Sequence, residues 1–108
     1  MTQEIISPPV GHTFIVDFGE AVFHTTFDSE RQLTFIPIKG NLGVVETVSY
    51  HSIEIHPNAF LFYWQEKDKT TVAGYWDFEK RLAYSNVTLP DSKFLNLKGT
   101  LTPIEASF

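Results

Sequence analysis

Residues 57–69 read Pro-Asn-Ala-Phe-Leu-Phe-Tyr-Trp-Gln-Glu-Lys-Asp-Lys, which is a turn, one extended segment and a second turn. Along an extended chain Phe60, Phe62 and Trp64 share one face, while Leu61 and Tyr63 take the other. A strand with one face in water would not be apolar on both sides. One face therefore lines an interior, and the other meets a covering segment or a second subunit. Working outward, turn chemistry recurs at Gly19-Glu20, Ser29-Glu30, Gly40-Asn41, Pro57-Asn58, Lys67-Asp68-Lys69, Glu79-Lys80 and Pro90-Asp91-Ser92. These breaks leave eight short segments rich in Phe, Tyr, Val, Ile and Thr, the pattern of an antiparallel meander. Eight such strands fit one closed barrel. The expected fold is all-β, a single eight-stranded antiparallel up-and-down β-barrel in one domain spanning residues 1–108.

The individual segments refine that expectation. Residues 1–11 read as a lead-in, because Ser7-Pro8-Pro9 cannot join a ladder. From His12 onward, Phe14, Val16 and Phe18 alternate with Thr13, Ile15 and Asp17. Segments follow over Ala21–Phe27 and Gln32–Ile38, with Pro37 marking an edge or bulge. The glycines and asparagine of residues 39–43 suit a flexible loop at a barrel mouth. Val44–His56 is too long to lie flat, which predicts a bulge at residues 49–52, with Ile53 and Ile55 pointing inward. Its β-branched residues disfavour a helix. Ala59–Gln65, Thr70–Asp77, Arg81–Leu89 and Lys93–Thr102 complete the set, and residues 103–108 read as a short tail.

Composition bounds the function. At 108 residues and 43% hydrophobic content the chain buries one core without a disulfide or structural metal. It has no cysteine, so thiolate chemistry is absent. The formal charge is −5, and its eight Lys and Arg residues are dispersed along the chain. A phosphate backbone requires a basic footprint, so neither nucleic acid nor an anionic membrane surface is an expected partner. No apolar run approaches the roughly 20 residues of a membrane helix. The opening Met1–Ile6 lacks the features of a secretory leader, which predicts a cytoplasmic protein. The sixteen aromatic rings, ten of them Phe, are many for this length. A barrel interior, a ligand cavity or a subunit interface would absorb them.

A closed eight-stranded barrel is either filled or holds one small ligand. The expected cavity wall is Phe14, Phe18, Phe35, Phe62, Trp64 and Trp76, with Tyr50, Tyr84 and Asn86 as polar handles. Trp64 and Glu66 share a face near the rim, where a carboxylate above an indole could receive a polar group of the ligand. Asp77 reads as a cap for its own turn. Glu54 and His56, two apart on a strand, could pair for general base work. Exposure on the outer face explains them as simply. His51 and His56 take opposite faces, and His12 and His24 are isolated, so no metal site is expected. No nucleophile elbow and no phosphate-binding loop is present, and no catalytic residue or cofactor is assigned.

Three functions suit this scaffold. The first is a binding module for a small hydrophobic or aromatic ligand. The second is a cofactor-independent enzyme, of decarboxylase or isomerase type, using paired tyrosines with Glu66 or Glu54. The third is a packed structural barrel that forms homodimers through its aromatic outer face.

The second half of the chain also carries a resemblance. Trp64-Gln65-Glu66, Thr70-Thr71-Val72, Asp77-Phe78-Glu79, Tyr84-Ser85-Asn86-Val87, Pro90-Asp91, Phe94 and Lys98-Gly99-Thr100-Leu101 resemble the hairpins of the MoaF-like domain family, and Gly11-His12-Thr13-Phe14 is similar to its opening. The resemblance implies a small bacterial lipocalin-like barrel of the calycin type. The family name refers to molybdenum cofactor gene clusters, and no activity comes with the resemblance.

Overall fold

Alternation of inward and outward side chains runs through eight strands, and the computed structural model describes them over residues 9–104. In chain order they are β1 (Thr13–Asp17), β2 (Val22–Phe27), β3 (Gln32–Lys39), β4 (Glu46–His56), β5 (Ala59–Gln65), β6 (Thr71–Asp77), β7 (Leu82–Thr88) and β8 (Phe94–Ile104). Each pairs antiparallel with the next, and β1 pairs with β8 to close the barrel. The all-β, eight-stranded up-and-down barrel expected from the turns is the observed architecture. Of the lead-in and tail, residues 1–8 and 105–108 lie outside the described residues.

Closure with stagger explains both mid-strand prolines. β3 pairs with β4 only as far as Phe35↔Glu46, so Pro37 has β2 alone beside it, opposite Phe23. The register shifts there between Val22 and Phe23, as the proline predicted. At the far end of β8, pairing with β7 ends at Thr100, and Pro103 lies opposite Phe14 of β1. Proline is tolerated where a strand has one neighbour. β8 therefore continues through residues 103 and 104, which the sequence reading assigned to a tail.

β4 corrects two further expectations. Its first residues, through Ser49, pair with β3, and Tyr50–His56 pair with β5. The strand's length is taken up by this stagger, so residues 49–52 stay regular and the irregularity falls between Glu54 and His56. Val48 and Tyr50 fix the inward parity, which turns Ile53 and Ile55 outward at 48% and 53% exposure. They are not core residues.

One end of the barrel is stoppered by rings. Phe27 and Phe62 are fully buried with centroids 5.3 Å apart, and Phe60 stacks on Phe62 at 5.5 Å. Phe78, from the β6–β7 turn, closes on Phe14 at 4.9 Å. The buried Pro9 packs beneath, and Gly11 N donates to the Phe27 carbonyl at 2.7 Å. Residues 9–11 thus belong to the base of the barrel rather than to a loose lead-in. Burial of each such ring contributes roughly 1.5–3 kcal/mol. Asp77 caps the adjoining turn through Oδ1, which accepts from Glu79 N at 3.0 Å and Lys80 N at 2.9 Å.

Candidate functional site

Strand alternation that fills one end leaves the other end hollow. A cavity of about 250 Å³ opens between the β1–β2, β3–β4, β5–β6 and β7–β8 connections. One wall is a row of four rings, from the end of β1 and from β2, β3 and β5. Phe18 meets Phe23 edge-on at 6.3 Å, Phe23 meets Phe35 edge-on at 6.0 Å, and Phe35 stacks on Trp64 at 6.3 Å. Val72, Val87, Leu89 and Leu97 add aliphatic side chains to the lining. Asn41, Leu42 and Gly43 border the opening, as expected of the loop at residues 39–43.

The ring row ends at a carboxylate. Trp64 Nε1 donates to Glu66 Oε2 at 3.1 Å, which realises the shared face expected of these two residues. The turn beyond is tight: Glu66 N donates to the Thr70 carbonyl at 2.7 Å, and Thr70 N donates to Asp68 Oδ1 at 2.9 Å. Burial raises the Glu66 pKa above its ordinary range. The nearby Glu46 and Asp68 carboxylates push the same way, and the Trp64 indole opposes them. Asp68 itself is held low by hydrogen bonds from Thr70. Deeper in, Trp76 Nε1 donates to Ser85 Oγ at 3.1 Å and Thr25 adds a buried hydroxyl, while Thr70 adds another at the turn.

The cavity gathers half of the residues named from sequence: Phe18, Phe35, Trp64, Glu66 and Trp76. Phe14, Tyr50 and Phe62 face inward but belong to the ring stopper, and the Tyr50 hydroxyl is spent on the Ser29 carbonyl at 2.8 Å. Tyr84 and Asn86 are corrections. They do share a face, but it is the outer one: Tyr84 is 40% exposed, and Asn86 Oδ1 accepts from Asn96 on the surface at 2.8 Å. The inward positions of β7 are the small Ala83, Ser85 and Val87, which leave room for the rings facing them. Phe23 and Thr25 were missed, although Phe23, Thr25 and Phe27 alternate as plainly as the pattern in β1.

The other polar pairs lie outside. His56 Nε2 and the Tyr75 hydroxyl are 2.9 Å apart on the exposed face, and His51 stacks on Tyr63 at 5.0 Å. None of the four tyrosines lines the cavity, so Glu66 has no phenol beside it. Among the described residues no group of three or more His, Cys, Asp or Glu could hold a metal ion. No helix among the described residues is long and apolar enough to cross a membrane.

Fold and site together define a closed eight-stranded meander barrel with one stoppered end and one open, ring-lined end. The family model described as MoaF-like matches residues 10–102, and the chain belongs to that family. Among solved structures, one described as "a putative beta-lactamase from Burkholderia vietnamiensis" superposes with a TM-score of 0.86 at 23% identity. The match covers 94% of this chain and 100% of that one, a likeness of fold. No curated protein matches the chain significantly.

Proposed function

We propose that this protein binds a small apolar or aromatic molecule in the open end of its barrel. The observation that carries the reading is the unfilled hollow of about 250 Å³ at the end of an otherwise close-packed interior, walled by the row from Phe18 to Trp64 and anchored by Glu66. Apolar walls with a few convergent polar groups are the usual make-up of a ligand site. The volume lies just below the roughly 300–1,000 Å³ of drug-sized pockets, which suits a guest of one or two rings. Titration with 1-naphthol, followed by its fluorescence, tests this. Saturable binding that weakens at least about tenfold in Trp64→Ala supports it, and no saturable binding by the wild type sinks it. Native mass spectrometry of freshly purified protein would identify a molecule that co-purifies.

The setting we propose is a bacterial cytoplasm, with homodimers formed through the outer face. Exposed Ile53, Ile55, Tyr63 and Tyr84 support the dimer. Sedimentation velocity of the wild type against Ile53→Lys tests it: a dimer that dissociates in the variant is the expected result, and a wild-type monomer at all concentrations removes the dimer from the proposal.

A further inference from the structure

Resting on the cavity reading above, we propose that the guest carries an ammonium group on its apolar or aromatic body and that Glu66 receives it. Among the described residues, the two charged ones bordering the cavity, Glu66 and Asp68, are both acidic, and the border contains no Lys, Arg or His. The cations on the mouth loops, Lys39, Lys67, Lys69 and Lys93, are exposed and stand outside the lining. Lys39 Nζ is directed instead to the Gly19 carbonyl, at 3.0 Å. A guest carboxylate or phosphate would enter a half-enclosed space with no counter-charge and meet like charge at the rim, which suppresses binding.

Two features of Glu66 favour a cation there. Glu66 uses Oε2 on the Trp64 indole, and a carboxylate has acceptor sites on both oxygens. Glu66 is also partly withdrawn from water among Glu46 and Asp68, and a bound cation relieves the repulsion within that group. The ring row then accommodates the hydrophobic body below the charge. Selection between amine, alcohol and acid of one carbon skeleton follows from the rim.

Calorimetric titration of the full chain with 3-phenylpropylamine, 3-phenylpropan-1-ol and 3-phenylpropionate separates these cases. The amine should bind about tenfold tighter than the alcohol, and the acid weakest of the three. Glu66→Gln should bring the amine down to the level of the alcohol, and the amide oxygen still accepts from Trp64, which keeps the indole in place. Asn41→Lys, on an exposed loop at the opening, should weaken the amine and strengthen the acid, which a folding defect would not do. Equal binding of amine and alcohol, or preference for the acid, overturns the ammonium assignment and leaves the cavity reading standing. Binding of none of the three overturns the assignment as well, and the 1-naphthol titration then decides separately whether the cavity reading fails with it.

Discussion

Trp64, near the end of β5, and Glu66, just beyond it, share the inward face, and the indole N–H of the first donates to the carboxylate of the second at 3.1 Å. This bond holds a partly buried charge at the mouth of an apolar cavity. Burial, with Glu46 and Asp68 nearby, leaves the folded pKa of Glu66 above its ordinary value near 4.5. The folded chain therefore keeps the proton to higher pH than the unfolded chain, and the stability associated with it is lost as pH rises from that ordinary value through the raised one. Glu66→Gln removes this dependence while keeping an acceptor for Trp64. Urea unfolding of both proteins between about pH 4 and about pH 7 should show the variant gaining relative to the wild type as pH rises. A difference that is flat across this range would mean that Glu66 is solvated like any surface glutamate.

The two ends of the barrel should respond differently to loss of a ring. Phe27 is fully buried and packs against Phe14, Tyr50, Phe62, Trp76 and Phe78. Phe27→Ala opens a void in the stopper and should cost about 3–5 kcal/mol. Trp64 is only half-buried and borders space that is already empty. Trp64→Ala should cost clearly less in chemical denaturation yet remove most of the 1-naphthol affinity. The reverse ranking would place the binding surface elsewhere.

Relative facing was legible in the sequence, and absolute facing was not. Alternation told that Phe60, Phe62 and Trp64 go together, and that Tyr84 and Asn86 go together. It did not tell that β5 turns its rings inward while β7 turns its larger residues outward. That choice is made by packing inside the barrel: Trp76 of the neighbouring β6 meets Phe62 at 5.4 Å and donates to Ser85 Oγ, filling the room beside the small inward residues of β7. Likewise, β4's length signalled irregularity, but its position depends on the stagger between β3 and β5, which is set by all eight strands closing at once. Tyr84→Ala follows as a control, with 1-naphthol affinity unchanged to within about twofold because the side chain faces away from the cavity.

Closure also fixes one glycine. A Cβ on Gly99 would run into the Asp17 carbonyl oxygen and would stand 2.8 Å from Phe18 Cδ1. Gly99 lies on β8 where that strand comes alongside the end of β1, so the close approach belongs to the seam of the barrel. Gly99→Ala forces backbone apart at that seam and should cost about 1–3 kcal/mol, as overpacking does. Because Phe18 opens the ring row, the same variant should also weaken 1-naphthol binding. Unaltered stability by urea unfolding would show that the seam can widen freely.

Tyr50 offers a spectroscopic reading of the stoppered end. Its phenol is pushed up from 10.0 to about 12, first by burial and then by the Glu30 and Asp28 carboxylates. The hydroxyl donates to the Ser29 carbonyl at 2.8 Å, a bond available only to the protonated form. The remaining tyrosines, Tyr63, Tyr75 and Tyr84, stand on the outer face. In an alkaline titration followed by tyrosinate absorbance, the Tyr50 phenol should ionise as a late step, and that step should vanish in Tyr50→Phe. The sign of the linked stability is fixed: the folded chain retains a proton that the unfolded chain has released, so stability falls as pH rises from about 10 to about 12. Tyr50→Phe should flatten that fall while losing about 0.5–1.5 kcal/mol at neutral pH for the missing hydrogen bond. If no late step that depends on Tyr50 appears in the folded wild type, water reaches Tyr50 and the ring stopper is open.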